Sequence, residues 1–279
     1  MPEHKEALER YRKMAEEALE KKMDACQAPE PLRGAMRYSL LGGGKRLRAA
    51  LLLASCEMLG GKAEQALTWA CAIEMIHAYS LIHDDLPAMD DDDLRRGRPT
   101  NHKVYGEGMA VLAGDGLLSL AFEEMLAETK TLQQVKACAC IARAAGVTGM
   151  VGGQCRDLDC ERNHFGGAEE LRYIHEHKTA DMLIGAVQAG MALAGGSDED
   201  LERGRQYGLG LGMAFQIWDD LLDVEGDVNV LGKQTGMDAA RGKLTWVTLH
   251  GVEESHTAAR EWTDRAVEAL EKYEDQAAF

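Results

Sequence analysis

Apolar residues recur every three or four positions along most of this chain, in stretches separated by glycine, proline and charged residues. In residues 3–25, Leu8, Tyr11 and Leu19 follow this spacing, and Glu and Lys fill the positions between them. Such a pattern is typical of an amphipathic surface helix. Val and Ile seldom alternate with polar residues, and the chain has only 5 prolines. The sequence therefore predicts an all-α protein.

The pattern also gives approximate bounds for the helices. The segments 97–106 and 225–243 are rich in polar residues and glycine, so they are predicted as connections. The last long helix before the second connection contains several glycines, each of which costs about 1 kcal/mol relative to alanine inside a helix. Close packing or a ligand cavity is needed to compensate for them. The predicted helices are 3–25, 31–41, 47–59, 63–85, 108–127, one or two within 131–160, 168–194, 198–223, 244–250 and 254–276.

Length and charge narrow the possible functions. At 279 residues the chain makes one large domain or two small ones, with ample length for a core. Its net charge is −16, from 31 Lys and Arg against 47 Asp and Glu. That balance argues against a nucleic-acid surface and against attraction to anionic lipid. An acidic protein still binds an anionic substrate where metal ions lie between the two.

The 7 cysteines show no CxxC spacing, and most lie in apolar helical context. We expect buried free thiols in a reducing compartment and no zinc site. No apolar run reaches the ~20 residues that cross a bilayer, and the N-terminal residues lack an apolar signal core. We therefore expect a cytoplasmic protein without stable membrane insertion.

The densest charge cluster lies in residues 80–99, which hold 6 aspartates and 3 arginines. Asp84 and Asp85 end a predicted apolar helix, and Asp90 follows a break at Pro87. On an ideal helix Asp90 points away from Asp84, so a bend at Pro87 is needed to bring the two together. Carboxylates and phosphates together are the usual ligands of Mg2+, and arginine binds phosphate bidentately. A solvated acidic loop is the alternative for such a run.

A second acidic cluster makes the solvated-loop interpretation less plausible. Asp219, Asp220 and Asp223 end another predicted helix, where Asp219 and Asp223 share a face. Carboxylates at a helix C-terminus are disfavoured by the helix dipole, so two such placements indicate bound cations.

Basic groups are spread through the rest of the chain. Gly43 and Gly44 precede a predicted helix start, and Lys45 and Arg48 lie one turn apart on one side of that helix, which suits a phosphate group. The segment is not a Walker motif, because the first glycine and the trailing Ser or Thr are missing. His77 lies two turns before Asp84 on the same face. No function can be inferred from the individual lysines Lys178, Lys233 and Lys243. Together with the apolar helices, these groups indicate an enzyme that uses Mg2+ to activate a diphosphate leaving group on a lipid-like substrate.

Several motifs resemble those of the trans-polyprenyl diphosphate synthase family, and within it the bacterial farnesyl diphosphate synthases. The resemblance implies one polyprenyl synthase domain over residues 1–279, an antiparallel helical bundle around a deep central cavity, and a homodimer. It also implies head-to-tail condensation of isopentenyl diphosphate with an allylic diphosphate. The motifs fall in residues 43–48, 76–90, 94–103, 112–115, 152–154, 177–179, 215–223 and 231–236.

The family's residue roles transfer position by position. The resemblance implies that two sets of aspartates bind Mg2+ ions that bridge the allylic diphosphate: Asp84, Asp85 and Asp90, with Asp219, Asp220 and Asp223 opposite. It assigns the allylic diphosphate to Arg95, Lys178, Thr179, Gln216, Lys233 and Lys243. It also assigns the cation formed from that substrate to Lys178, Thr179 and Gln216. It assigns isopentenyl diphosphate to Gly44, Lys45, Arg48, His77 and Arg96.

Product length is expected to depend on Tyr79 and Ser80, which precede Asp84 on the same predicted helix. The resemblance implies that a large ring at Tyr79 blocks elongation and gives a fifteen-carbon product, farnesyl diphosphate. Geranylgeranyl or geranyl diphosphate synthase activity is the alternative, since geranylgeranyl synthases tend to carry a smaller or more flexible residue there.

Two departures from the family pattern stand out. The chain has Lys243-Leu-Thr-Trp-Val247 where Lys-Ser-Thr-Tyr-Pro is common, and its last residues lack a basic tail. A terpene cyclase is a competing interpretation, but its second metal motif mixes Asn, Ser or Thr with Glu. A non-catalytic partner subunit is another, although such a subunit is expected to lose motif residues. Neither acidic cluster has the alternating oxygen ligands of a calcium loop.

Overall fold

The structure, a computed structural model, describes residues 2–163, 165–226 and 244–277. The described residues form an all-α protein, as predicted, with one minimal antiparallel hairpin of two-residue strands. The elements are α1 Pro2–Ala25, α2 Leu32–Leu40, α3 Leu47–Met58, α4 Ala63–Asp84, β1 Leu94–Arg95, β2 Arg98–Pro99, α5 Asn101–Tyr105, α6 Glu107–Glu128, α7 Leu132–Ala145, α8 Met150–Asn163, α9 Ala168–Ile174, a π-helical segment His175–Ala180, α10 Asp181–Leu193, α11 Asp198–Glu225, α12 Trp246–His250, α13 Val252–Leu270 and a 3-10 segment Glu271–Ala277.

The helix predictions are confirmed to within a few residues, and the differences have local causes. The connection predicted at 97–106 contains the second strand and the short helix α5. The helix predicted over 168–194 is interrupted by the π-helical segment. The segment predicted at 254–276 ends as α-helix at Leu270 and continues as 3-10 helix. Most of the connection predicted at 225–243 lies outside the described residues.

The described chain divides into two compact units, and the single-domain organisation stays a prediction. Unit 1 comprises Met1–Ala139 and Ala189–Gly196. Its core is built on α4, which is apolar all round and therefore suited to a central position. Trp69, Ile73, Met75 and Ile76 are fully buried there. The helices α3 and α6 pack along α4.

Unit 2 comprises Cys140–Gln188 and Ser197–Ala277, with the long helix α11 packed along α13. Ser197 caps α11, accepting the amide proton of Asp200 at 3.2 Å. The glycines of α11 allow close packing. A Cβ atom added at Gly212 would lie 2.4 Å from Ala180 Cα, and one at Gly208 would lie 2.6 Å from Ile184 Cα. Close packing, the first of the two expected compensations, is therefore confirmed.

Two expectations about the chain's chemistry are only partly met. All seven cysteines are free, but only Cys56, Cys71 and Cys160 are buried, and Cys155 is exposed. Leu132–Asn163 contains an 18-residue window apolar enough to match a membrane span, with 33% of the window buried. This stretch comprises α7 and α8, and apolar helices of protein cores match the same criteria.

Candidate active site

The acidic end of α4 folds back on itself. The helix ends at Asp84, and after Pro87 the amide of Asp90 donates to the carbonyl oxygen of Asp84 at 2.9 Å. The sequence-based expectation that a bend returns Asp90 to Asp84 is confirmed. Both side chains are partly exposed. Two hard oxygen donors are therefore held at one helix end, with solvent access.

Asp85 is placed differently from its two neighbours in the motif. Its side chain is buried, and its Oδ1 accepts a hydrogen bond from Arg95 Nε at 2.6 Å. Burial raises the pKa of Asp85 to about 6, against the lowering effect of Arg95. In this structure Asp85 holds Arg95 in place.

The hairpin β1–β2 carries the three arginines that follow the acidic run. Arg95 pairs with Arg98 across the two strands, and Arg96 and Gly97 form the turn. Both turn residues have positive φ, 54° and 72°, as the right-handed twist of a two-residue hairpin favours. The tight turn thereby directs Arg95 and Arg96 to separate partners, because Arg96 Nη1 donates to the carbonyl oxygen of Gly43.

One small cavity of unit 1, of about 50 Å³, is a basic cavity, because four arginines and one histidine lie among its lining residues. The face of α4 that lines it carries Glu74, His77 and Asp85 at helical spacing. Burial lowers the pKa of His77 well below its ordinary value, and neighbouring arginines lower it further. The imidazole is therefore neutral at pH 7. The other charged residues around the cavity are Arg46, Arg95, Arg96 and Arg98.

The loop before α3 brings Lys45 and Arg48 to the edge of unit 1 that carries these arginines. Gly43, Gly44 and Arg46 all have positive φ, and α3 begins only at Leu47. The expected placement of Lys45 and Arg48 on one side of a helix is therefore wrong, because Lys45 precedes the helix. A Cβ atom at Gly44 would lie 2.8–2.9 Å from the Arg96 guanidinium, so this position requires glycine. Arg48 Nε is buried and has no hydrogen-bond partner among the described residues.

Tyr79 lies on a different side of α4 from His77. Its side chain is only 8% exposed, and its ring packs edge-to-face on His83, with 5.6 Å between ring centroids. His83 in turn is held against α6, where its Nε2 lies 3.1 Å from the carbonyl oxygen of Val111. A Cβ atom at Gly114 would lie 2.1 Å from that nitrogen. Tyr79 is therefore backed by a tightly packed layer. Ser80 donates to the carbonyl oxygen of His77 at 3.0 Å.

In unit 2 the end of α11 carries the second acidic cluster. Asp220 is buried and engaged at both oxygens: Oδ1 accepts from Gln216 Nε2 at 3.2 Å, and Oδ2 accepts from the Trp246 amide at 2.8 Å. Asp223 is also buried, whereas Asp219 is partly exposed. The three carboxylates thus differ in accessibility, as do those of the first cluster.

The π-helical segment positions Lys178 and Thr179. Thr179 Oγ1 donates to Gln216 Oε1 at 3.0 Å. Lys178 Nζ donates to the buried carboxylate of Asp157 at 2.6 Å. A Cβ atom added at Gly153 would lie 2.2 Å from Lys178 N, so α8 packs directly on the π-helical backbone. Such single-turn widenings inside α-helices are frequent at functional sites.

Sequence reasoning overlooked three residues of these arrangements. Asp157 lies on α8 among other charged residues such as Arg156 and Asp159, so no sequence signal distinguished it. Glu74 is an acidic residue inside the apolar helix α4, which was an available signal. Arg46 lies within the motif at residues 43–48, where its residue type alone indicates no role. Lys233 and Lys243 lie outside the described residues.

The carboxylates suit Mg2+ only if substrate completes the coordination. Among the residues described, no group of three His, Cys, Asp or Glu side chains could hold a metal ion alone. Mg2+ commonly takes one or two carboxylates and fills the remaining positions with phosphate oxygens and water. Asp84 and Asp90, which are partly exposed oxygen donors on one bend, match that requirement.

The chain is similar to known proteins over most of its length. The polyprenyl synthetase family matches residues 29–278. Geranylgeranyl pyrophosphate synthase 3, chloroplastic, from Arabidopsis thaliana is 49% identical over 248 residues, which cover 87% of this chain and 69% of the relative. Dimethylallyltranstransferase from Fischerella ambigua is 44% identical over 273 residues, which cover 97% of this chain and 79% of the relative.

A solved structure shares the fold. The apo crystal structure of an FPP/GFPP synthase from Zymomonas mobilis superposes with a TM-score of 0.87 at 34% identity, covering 98% of this chain and 94% of the other.

Proposed function

This chain belongs to the polyprenyl synthetase family, and on that premise we propose that it makes farnesyl diphosphate. It is a short-chain trans-prenyltransferase of isoprene biosynthesis. The proposed reaction condenses isopentenyl diphosphate with dimethylallyl and then geranyl diphosphate, and it releases diphosphate at each step. The observation that carries the choice of product is the buried ring of Tyr79, fixed against His83.

The basic cavity of unit 1 supports the proposed isopentenyl diphosphate site. Four arginines line it against two acidic residues, Glu74 and Asp85, and Asp85 is paired with Arg95. A guanidinium group binds phosphate oxygens bidentately, which suits a diphosphate. We assign Lys45, Arg48 and Arg96 to that anion and the neutral His77 to hydrogen bonding, with Gly44 giving Arg96 room.

The allylic substrate is assigned to the two acidic clusters and the residues around them. Asp84, Asp90, Asp219 and Asp223 would hold Mg2+, whose charge stabilises the departing diphosphate when it is bound. Arg95 would bind the same anion, held by Asp85. Lys178 and Thr179 of the π-helical segment would orient the reacting carbon atoms together with Gln216 of α11, which accepts a hydrogen bond from Thr179.

Carbon–carbon bond formation then follows from the charge distribution. The allylic carbon–oxygen bond breaks, and the electron pair leaves with the diphosphate. The isopentenyl double bond attacks the allylic carbon, and loss of a proton from the new cation restores a double bond. We assign the proton to the released diphosphate, because it is the nearest base that the reaction itself supplies.

Geranylgeranyl diphosphate is the second candidate product, and the names of relatives such as the Arabidopsis thaliana synthase favour it. Tyr79 distinguishes the two. Along α4 this ring lies about 7.5 Å deeper than Asp84, at 1.5 Å per residue. A rigid aromatic wall at that depth is expected to stop the chain at fifteen carbons.

Product analysis tests this proposal. The protein is incubated with dimethylallyl diphosphate, isopentenyl diphosphate and Mg2+, and the products are separated by chain length after dephosphorylation. Predominant farnesol supports the proposal, predominant geranylgeraniol supports the second candidate, and absence of any condensation contradicts both.

We also propose a homodimer in the cytosol. On α6 the outward side chains include Leu112 and Leu126, which are 53% and 63% exposed, and on α7 Leu132 is 69% exposed. Leu112 and Leu126 are about four helical turns apart and so lie on one side of α6, and exposed apolar side chains that share a face commonly mark contacts between proteins. Light scattering after size exclusion tests the dimer: a mass of twice 30.5 kDa is expected, and a monomer contradicts it.

A further inference from the structure

Glu74 is a buried acid placed among basic groups that serve an anion. Its side chain is 3% exposed, on α4, one turn before His77. A buried carboxylate is costly unless it is paired and hydrogen-bonded. Its contacts therefore indicate what it stabilises.

In the first contact, the Glu74 side chain on α4 caps the N-terminus of α3. Glu74 Oε1 accepts a hydrogen bond from the amide of Ala49 at 3.1 Å. Ala49 is the third residue of α3, and its amide is one of those left without an intrahelical acceptor. Arg46, at the N-cap position, has no side-chain oxygen to accept it. Glu74 therefore replaces the missing cap and fixes the start of α3, where Arg48 is located.

The second contact holds the loop before α3. Arg46 has φ 50° and ψ 37°, a left-handed conformation that is unfavourable for a non-glycine residue. Its buried guanidinium donates through Nη2 to the carbonyl oxygen of Leu40 at 2.7 Å. Its Nη1 lies 3.5 Å from Glu74 Oε2, and its Nε lies 3.8 Å from Glu16 Oε1. These contacts keep Arg46 in that conformation, so that Lys45 is carried in a fixed position.

The third effect is electrostatic. Burial lowers the pKa of Arg48 and of Arg96. Arg96 lowers the pKa of Arg48 further, and Arg46 and Arg95 lower the pKa of Arg96 further. Glu74 acts on Arg48 and Arg96 in the opposite direction. Glu74 therefore offsets the electrostatic repulsion that Arg48 and Arg96 experience from neighbouring arginines before the anion binds.

We propose that Glu74 and Arg46 are positioning residues that preorganise Lys45, Arg48 and Arg96 for the diphosphate of the isopentenyl substrate. Neither residue is assigned a bond to substrate. The inference rests on the proposed function, because it takes the basic cavity to be the isopentenyl diphosphate site.

Two simpler roles predict different results. If Glu74 were only a counter-charge, its loss would make the cavity more positive, and anions would bind more tightly. If Glu74 only stabilised the fold, its loss would lower the melting temperature without selecting one substrate. A positioning role predicts weaker binding of isopentenyl diphosphate alone, in spite of the added positive charge.

The test compares Glu74→Gln with wild type. The amide oxygen of Gln still accepts the Ala49 proton, but the carboxylate beside the arginines is gone. Around metal ions, loss of a residue that supports a ligand commonly weakens the site by about 10- to 100-fold, and we expect the lower end of that range for this anion site. We expect the KM for isopentenyl diphosphate to rise about tenfold, while the KM for the allylic diphosphate stays within about twofold. Glu57→Gln is the matched control, because it removes a carboxylate that pairs with Arg10 near the other end of α3.

A substitution of Arg46 provides a second, independent test of the proposal. Arg46→Lys keeps the charge but loses the guanidinium fork, so it is expected to raise the same KM and no other. If Glu74→Gln fails to fold, Arg46→Lys still tests the positioning role. In the double variant, the two effects are expected to be less than additive, because each substitution removes the same arrangement.

Binding of inorganic diphosphate in EDTA separates this proposal from the proposed function. Calorimetry without Mg2+ reports on the basic groups alone, and Glu74→Gln is expected to bind about tenfold more weakly. If wild type makes no prenyl product but this difference remains, the proposed function fails and the positioning role stands. An unchanged or lower isopentenyl KM in an active Glu74→Gln variant overturns the positioning role, as does an equal rise for both substrates.

Discussion

Replacing Tyr79 by alanine tests how the protein sets product length. Tyr79 is 8% exposed, and His83 packs between its ring and α6. Gly114 leaves no room for His83 to shift toward α6, since an added Cβ atom there would lie 2.1 Å from its Nε2. The ring is therefore held in one place, and Tyr79→Ala opens space without an obvious neighbour to fill it.

The size of the effect follows from burial. An aromatic-to-alanine change in a core costs about 3–5 kcal/mol of unfolding free energy. In the presence of product the vacated space is available to the hydrocarbon tail. Burying one more five-carbon unit there gains roughly 4 kcal/mol, at about 0.8 kcal/mol for each buried carbon. That gain is large enough to retain a fifteen-carbon intermediate for another condensation.

The assay is product chain length under excess isopentenyl diphosphate. Wild type is expected to stop at fifteen carbons, and Tyr79→Ala is expected to yield mainly twenty carbons or more. Tyr79→Phe keeps the ring and should leave the product unchanged. Tyr11→Ala, which removes a buried tyrosine from α1, controls for the general loss of stability.

An unchanged product profile in a folded, active Tyr79→Ala variant would refute the reasoning. So would a twenty-carbon product from wild type, because the ring would then not block elongation at fifteen carbons.

Three further predictions follow from the site and the packing. Removing Mg2+ with EDTA should abolish condensation, and adding Mg2+ should restore it; full activity in EDTA would rule out the metal assignment. Asp157→Asn removes the partner of Lys178, so kcat should fall about tenfold or more with little change in melting temperature, and steady-state kinetics with thermal denaturation checks both. Gly212→Ala places a methyl group 2.4 Å from Ala180 Cα and should lower the unfolding free energy by about 1–3 kcal/mol in chemical denaturation; unchanged stability would contradict the close packing.

Much of the fold could be predicted because helical periodicity is a local property of the sequence. The bounds of α1 follow from apolar spacing, and those of α4 and α11 follow also from glycine or capping residues at their ends. The π-helical segment could not be predicted from local periodicity, and its backbone at Lys178 packs against Gly153. That contact joins residues distant in sequence.

The candidate site was likewise predictable from the sequence only in part. The return of Asp90 to Asp84 was predictable from Pro87, a local effect. The cap that Glu74 supplies to Ala49 was not, because the residue and the helix it caps are 25 positions apart. The engagement of Asp85 by Arg95 and of Asp220 by Trp246 likewise depends on tertiary structure. Residue type thus identified the acidic clusters, whereas the division of labour within each cluster required coordinates.

Chain-length analysis of the wild-type products tests the central claim most directly. Dimethylallyl and isopentenyl diphosphates are incubated with the protein and Mg2+, and the dephosphorylated products are separated by chromatography. A dominant fifteen-carbon alcohol is the predicted result. A mixture without condensation products, or one dominated by twenty carbons, would contradict the assignment of farnesyl diphosphate synthesis to this chain.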